Sequence, residues 1–261
     1  MVRILLTNDD GIHSDGLTEL EEALKEVGDV YVVAPASEMS GASHSLTLSR
    51  PLRIRRIDSR HWTVDGTPTD CVTLALNKIL TDEERPHVCV SGINHGGNLG
   101  DDATYSGTVA GALEATILGV PGLAFSLVAR ENYDFTEAAR FAVVAVRKVL
   151  DEGLPEGTLL NINVPRGEIK GVRVTRQGIK YARPIISEHI DPRGKAYYWI
   201  GEEIYRTGPQ QGTDYDAVES GFISVTPMRS DMTNHNALAD LARWDSINST
   251  EKVSENQDQP A

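Results

Sequence analysis

Two carboxylates stand side by side where an apolar stretch stops: Arg3-Ile4-Leu5-Leu6-Thr7 runs straight into Asn8-Asp9-Asp10-Gly11. In a poorly hydrated crevice such neighbours raise one another's pKa, and both lose solvation. A hard divalent cation removes that conflict, and oxygen donors of the Asp, Asn and Ser type favour Mg²⁺ or Mn²⁺ over zinc. No HExxH motif or Cys/His cluster offers a softer alternative. The other reading is that one aspartate caps the following helix while its neighbour faces water. A second stretch bears on the choice. Asn94-His95-Gly96-Gly97-Asn98-Leu99-Gly100-Asp101-Asp102 follows another apolar run and leads into Ser106-Gly107-Thr108. Gly96, Gly97 and Gly100 let the backbone approach a ligand, and Ser106 and Thr108 stand where unpaired helix-start amides bind phosphate oxygens. Neither GxxxxGK[ST] nor a GxGxxG after the first strand is present, so this is neither a P-loop nor a dinucleotide fingerprint. A cation beside an anion cradle suits metal-assisted hydrolysis of a phosphate ester, the cation activating water and stabilising charge on the phosphoryl oxygens.

These residues need a scaffold that gathers loops at one edge. Residues 3–7 form a short continuous apolar run, as a strand covered on both faces would. Leu17, Leu20, Leu24 and Val27 recur at helical spacing over 15–27, with Ser14 or Asp15 available as cap, and VYVVAP follows at 30–35. Strand, helix, strand in so short a span predicts a right-handed βα unit returning to a parallel sheet. The pattern continues with helices over 69–80, 106–119 and 135–153 and strands over 87–93, 122–128 and 159–165. The expected fold is therefore α/β, a Rossmann-like, doubly wound, mostly parallel sheet, in which loops from the C-terminal strand ends meet in a crevice. Three such loops are 8–11, 37–45 (SEMSGASHS) and 94–108.

Two regions have another texture. Alternating apolar and polar residues in HSLTLSRPLRIRRI (44–57) and HWTVDG (61–66) predict edge β-structure with one watered face, its arginines 50, 53, 55 and 56 serving surface salt bridges. Beyond 170, GVRVTRQG and SGFISVTPM read as strands. Between them, Tyr181, Ile185, Ile186, Tyr197, Tyr198, Trp199, Ile200, Ile204 and Tyr205 surround a DPRG turn. That predicts a hairpin arm over 181–206 whose apolar side meets another subunit, with Lys180 and Tyr181 at its base near the crevice. The chain thus reads as one domain, its core about 1–170 plus 207–245, ending in a polar tail over about 250–261.

The 261 residues carry a formal net charge of −13, which repels polyanions and argues against binding a nucleic acid duplex. Cys71 and Cys89 are too few for a disulfide framework, and no apolar run has the length of a membrane span or a signal-peptide core. A soluble cytoplasmic setting without membrane partners is expected.

TNDDGIHSDG at 7–16, VVAPASEMSGASHSLTL at 32–48, GTPTDCV at 66–72, VSGINHGGNLGDDATYSGTVAGALEA at 90–115 and SVTPMRSDMT at 224–233 together resemble the SurE family of stationary-phase survival nucleotidases. That resemblance implies a metal-dependent phosphomonoesterase that hydrolyses nucleoside 5′- and 3′-monophosphates to nucleoside and phosphate by metal-activated water. It also implies a C-terminal extension exchanged within a homodimer or homotetramer. One Mg²⁺ or Mn²⁺ per subunit would be held by Asp9, Asp10, Ser40 and Asn94, with Asp9, Asp10 and Asn94 catalytic. Gly41, Asn98, Ser106, Gly107 and Thr108 would surround the phosphate. The family often has arginine before its ligand serine, where this chain has Met39. His44 and His95 stand in the same loops as candidates to assist the leaving oxygen or orient phosphate. Two rival readings are a phosphatase preferring short polyphosphate or a non-nucleotide ester, and a non-catalytic nucleotide-binding regulatory module. The second explains the carboxylate pair poorly, since binding phosphate alone favours lysine or arginine there.

Overall fold

Unbroken apolar runs form strands covered on both faces, and apolar residues at helical spacing form helices laid over them. A computed structural model describes residues 1–180, 182–204 and 210–246. In chain order come β1 (Arg3–Thr7), α1 (Asp15–Leu24), β2 (Asp29–Pro35), β3 (Ile54–Arg56), β4 (His61–Val64), α2 (Pro68–Leu74), β5 (Val88–His95) and α3 (Gly107–Ile117). There follow β6 (Gly122–Val128), α4 (Thr136–Glu152), β7 (Thr158–Pro165), β8 (Val172–Val174), β9 (Ala182–Ile190), β10 (Ala196–Ile204), α5 (Asp214–Glu219), β11 (Ile223–Arg229) and α6 (Leu238–Leu241).

Nine strands form one mixed sheet in the order β3-β4-β2-β1-β5-β6-β7-β11-β8. The six from β4 to β7 run parallel, while β3 lies antiparallel to β4 and β11 antiparallel to β7. Successive strand residues point to opposite faces, and each face has its own helices. Ile4, Leu6, Val32 and Val90 pack with Leu17, Leu20 and Leu24 of α1 and Ala142 and Val146 of α4. Leu5, Val33 and Cys89 pack with Cys71 and Val72 of α2 and Ala115 of α3. β1 lies between β2, reached through α1, and β5, reached much later, so the winding reverses at β1. That reversal opens a crevice at the C-terminal ends of β1 and β5, whose last paired residues are Thr7 and Ser91.

Several elements differ from the sequence expectation. Residues 44–53 form no strand. Pro51 cannot donate to a ladder, and Asp70 takes the Thr47 backbone N–H and hydroxyl at 2.9 and 2.6 Å. Only Ile54–Arg56 joins the edge of the sheet, with Arg50 and Arg53 beside Asp65. The helix expected over 69–80 is α-helical to Leu74 and continues as a π-helical turn, Ala75–Ile79. The strands expected in GVRVTRQG and SGFISVTPM are β8 and β11, which carry the sheet past residue 165, whereas α5 was not anticipated.

β9 and β10 form the hairpin, paired from Ala182 with Ile204 to Ile190 with Ala196. Asp191 closes its turn by accepting the N–H groups of Arg193 and Lys195, both at 2.8 Å. Tyr181 and Tyr205 lie outside the described residues, as does the polar tail. Residues 1–230 and those from 231 onward are two units; the second contains α6 between two short 3₁₀ turns. Among the described residues no helix is long and apolar enough to cross a membrane.

Candidate active site

The turn after β1 is organised by Asn8. Its amide donates to the Gly11 carbonyl at 3.0 Å and to Ser14 Oγ at 2.7 Å, and Ser14 caps α1 by accepting from Leu17 N. Capping therefore falls to Ser14, and both aspartates are released for another task. Asp9 is only 4% exposed. Thr108 Oγ1 donates to its Oδ1, and a β-carbon on Gly107 would lie 2.7 Å from its Cβ, so glycine is required for α3 to come this close. Burial pushes the Asp9 carboxyl up to about 6, the Thr108 hydrogen bond opposing and the charge of Asp10 adding to the rise. Asp10 Oδ2 is buried without an aligned hydrogen-bond donor, although His95 Nδ1 stands 3.2 Å away. The His95 ring is held edge-on to Tyr133 and Phe135, with centroids 4.7 and 4.9 Å apart.

The loop after β2 lies over this turn, Met39 N donating to Asp9 O at 2.7 Å. Ser40 follows, its hydroxyl donating to exposed Glu38 at 2.8 Å, and Gly41 at φ +74° borders open space. Ser43 ties the loop to the 3₁₀ turn Gly100–Thr104 through Thr104 O and Tyr105 O. His44 turns to α3, its Nε2 2.9 Å from Glu114 Oε2, while Thr73 donates to the other oxygen of Glu114.

The loop after β5 completes the crevice. Asn94 directs its amide nitrogen to the Gly96 carbonyl at 2.8 Å, which leaves its own carbonyl oxygen as a free acceptor. Asn98 is anchored from below: its N–H donates to Asn163 Oδ1, its amide nitrogen to Ser126 Oγ, and its carbonyl accepts from Asn161 and Asn163. Ser106 caps α3 by accepting from Val109 N at 3.0 Å. The backbone N–H groups of the first turn, Gly107 and Thr108 among them, have no intrahelical acceptor and form the electropositive end of α3. Across the loops, the carboxylates are reached directly by Thr108 and Gly107 at Asp9, by His95 at Asp10 and by Met39 N at the Asp9 carbonyl, while Ser40 is turned to Glu38, Asn98 to Ser126 and His44 to Glu114.

Sequence reasoning missed the supports beneath this loop. Asn161 and Asn163 were visible as alternating polar residues in the otherwise apolar LLNINVP. Ser126 had no such signal. Asp214, fully buried at the start of α5, accepts from Gly100 N, Gly178 N and Tyr215 N at 2.8–2.9 Å. Thr213, which caps α5, was its only local signal. Lys180 joins Asp102 at 2.7 Å and Glu202 at 2.5 Å, linking the loop to the hairpin base.

The donor chemistry fits a hard cation. Asp9 and Asp10 present two crowded, poorly solvated carboxylates, and Ser40 and Asn94 add neutral oxygens. Among the described residues no three His, Cys, Asp or Glu side chains form a metal-binding cluster; the expected set contains only two such side chains, Asp9 and Asp10.

Comparison with known proteins gives a consistent result. Residues 4–184 match the family model described as survival protein SurE. A 5′-nucleotidase SurE from Aquifex aeolicus is 50% identical over 245 residues, covering 92% of this chain and 97% of that one. The 5′-nucleotidase SurE of Geotalea uraniireducens is 48% identical, covering 94% and 99%. The crystal structure of the Aquifex aeolicus SurE protein superposes with a TM-score of 0.83 at 49% identity, covering 93% of this chain and 99% of that one. With its motifs, its sheet and nearly its whole length shared in this way, the chain belongs to the SurE family.

Proposed function

We propose that this protein is a 5′-nucleotidase, a phosphomonoesterase that hydrolyses nucleoside 5′- and 3′-monophosphates with the help of one divalent cation, Mg²⁺ or Mn²⁺. The observation that supports the reading is the contact of Asp9 with Thr108 and Gly107, which sets one of the paired carboxylates against the amide end of α3. Near-full-length identity to proteins named 5′-nucleotidase supports the substrate class.

Asp9, Asp10, Ser40 and Asn94 would hold the cation, which when bound offsets the paired carboxylate charges and polarises the phosphate and the attacking water. The chain's own groups do the rest. Helix-start N–H groups of α3 and the second amide hydrogen of Asn98 receive phosphate oxygens, so negative charge gathering there meets fixed donors that need no reorganisation. Asn94 commits its amide nitrogen to the Gly96 carbonyl, so its oxygen is the atom left to act as a ligand. His95, braced by two aromatic rings, stands against Asp10 Oδ2. No side-chain nucleophile is required, and an aspartyl-phosphate route would withdraw a cation ligand.

The buried free thiols Cys71 and Cys89 agree with a reducing cytoplasmic setting. A homodimer or homotetramer joined through the hairpin arm is part of the same reading. The deciding experiment is phosphate release from AMP, GMP, CMP, 3′-AMP, glycerol phosphate and tripolyphosphate, each with chelator, Mg²⁺ or Mn²⁺. Cation-dependent release favouring nucleotides is expected. Binding without release would leave a regulatory module, and preference for tripolyphosphate would change the substrate class.

A further inference from the structure

Polar side chains are costly inside a sheet covered on both faces, yet one row of them runs across this one. Asn94 on β5 is paired with Ser126 on β6, Ser126 with Asn163 on β7, and Asn163 with Ser224 on β11. Ser126 and Asn163 are fully buried, and so, to within 1%, is Asn161, which stands two residues before Asn163 and on the same face. The side chains of Ser126, Asn161 and Asn163 converge on one loop residue. The Asn98 N–H donates to Asn163 Oδ1 at 2.8 Å, and its carbonyl accepts from Asn161 at 2.8 Å and from Asn163 at 3.2 Å. Its side-chain nitrogen donates to Ser126 Oγ at 2.7 Å. A carboxamide nitrogen carries two hydrogens in one plane. With one committed to Ser126, the other has a fixed direction.

We infer that Ser126, Asn161 and Asn163 are positioning residues for phosphate-ester hydrolysis: the two asparagines lock the Asn98 backbone, and Ser126 locks the rotation of its side-chain amide, leaving one N–H as a preset donor for a phosphoryl oxygen. The inference rests on the nucleotidase reading, in which Asn98 meets the phosphate, and adds what aims it. Anchoring the loop requires only the three backbone bonds. The bond to Ser126 does something else, since it restrains a side chain rather than the chain path. Nor is the row arranged for stability alone. Asn161 Oδ1 and Ser224 Oγ are buried without partners among the described residues, a desolvation cost that apolar side chains on these strands would avoid. A donor already oriented when charge builds on the phosphoryl group loses nothing to reorganisation, whereas a freely rotating amide has to be ordered at each turnover.

The test uses the full chain with Mn²⁺ and AMP, and three variants: Ser126→Ala, Asn98→Ala and the two combined. Ser126→Ala should lower kcat and kcat/KM together by about tenfold with KM nearly kept, the pattern of a contact realised in the transition state. Added to Asn98→Ala, it should change kcat by less than about twofold, because Ser126 acts only through Asn98. A second readout needs no turnover. In ¹⁵N–¹H spectra of the protein with Mg²⁺, inorganic phosphate should shift one proton of the Asn98 side-chain NH₂, and Ser126→Ala without phosphate should shift the other. A lower thermal midpoint with kcat unchanged, or a tenfold cost that recurs in full on Asn98→Ala, would make Ser126 a structural residue and overturn the assignment. The failures are distinguishable: if the wild type hydrolyses AMP and either of these results follows, only the positioning falls. If the wild type hydrolyses no nucleotide, the nucleotidase reading falls, and the response of the two Asn98 protons decides the positioning by itself.

Discussion

Asp9 and Asp10 are neighbours in the chain but are held differently, and the difference predicts what each substitution does. Asp9 is fixed by Thr108 and pressed against Gly107, whereas Asp10 keeps a buried oxygen without an aligned donor. Asp9→Asn and Asp10→Asn should each lower phosphate release by on the order of 10²-fold or more, comparable to losing a principal electrostatic contact in the transition state. Neither loss should come from unfolding. Removing one of two crowded carboxylates relieves repulsion, so the thermal midpoint of Asp10→Asn in chelator should equal or exceed that of wild type. Near-wild-type rates in both variants at saturating Mn²⁺ would mean the site lies elsewhere. Chelation of the wild type should abolish release while circular dichroism is preserved, and Mn²⁺ or Mg²⁺ should restore it. Asn98→Ala separates the two halves of the site: calorimetry should find Mn²⁺ affinity little changed, because Asn98 is tied to Ser126, Asn161 and Asn163 rather than to the carboxylates. A collapse as deep as that of Asp9→Asn would contradict this division.

At the scale of elements, the site depends on how α3 and α5 hold the loops between them. Asp214→Ala would leave three N–H groups, those of Gly100, Gly178 and Tyr215, without their acceptor, a loss of about 3 kcal/mol or more. The urea midpoint should fall, and hydrogen exchange at Gly100 and Gly178 should speed up; unchanged protection there would show that Asp214 does not pin the loop. Glu114 links α3 to the second loop. The His44 hydrogen bond first, and the Thr73 bond after it, hold its carboxyl below the ordinary value of 4.5, with burial opposing. A depressed folded-state pKa contributes stability above the unfolded value and loses it as pH falls through the folded value. Stability from this group should therefore decline only below about pH 4.5, and Glu114→Gln should flatten that part of the acid-unfolding curve. An identical acid limb in the variant would remove the argument. These contacts also show which features were readable in the sequence. β1, β2, β5 and β6 could be read because buried parallel strands are continuous apolar runs, and the grouping of the loops after β1, β2 and β5 because strand ends on one edge of such a sheet lie together. Asp214 could not, since its three partners come from distant loops and α5 is too short to show a period. The alternation in 44–53 misled because Asp70 takes from Thr47 the bonds a ladder would have used.

The whole molecule poses a question of exposure. β9 and β10 pair only with each other, and the register places Ile186, Tyr198 and Ile200 on one face and Ile185, Tyr197 and Trp199 on the other. All six are exposed, Ile200 by 81% and Trp199 by 66%. An isolated hairpin is marginal in water, and one that is apolar on both faces is also an aggregation hazard. Folding back onto its own subunit would cover one face at most. Exchange between copies covers more, because in a two-fold assembly each arm lies against the other subunit and both are satisfied by the same contact. Lys180, joined to Asp102 in the third loop and to Glu202 on β10, ties the arm's base to that loop. Replacing residues 184–203 with a short glycine linker should therefore lower the oligomer mass in sedimentation velocity. A wild-type protein that sediments as a monomer at micromolar concentration, or a folded deletion of unchanged oligomeric state, would show that the arm is not what joins the subunits.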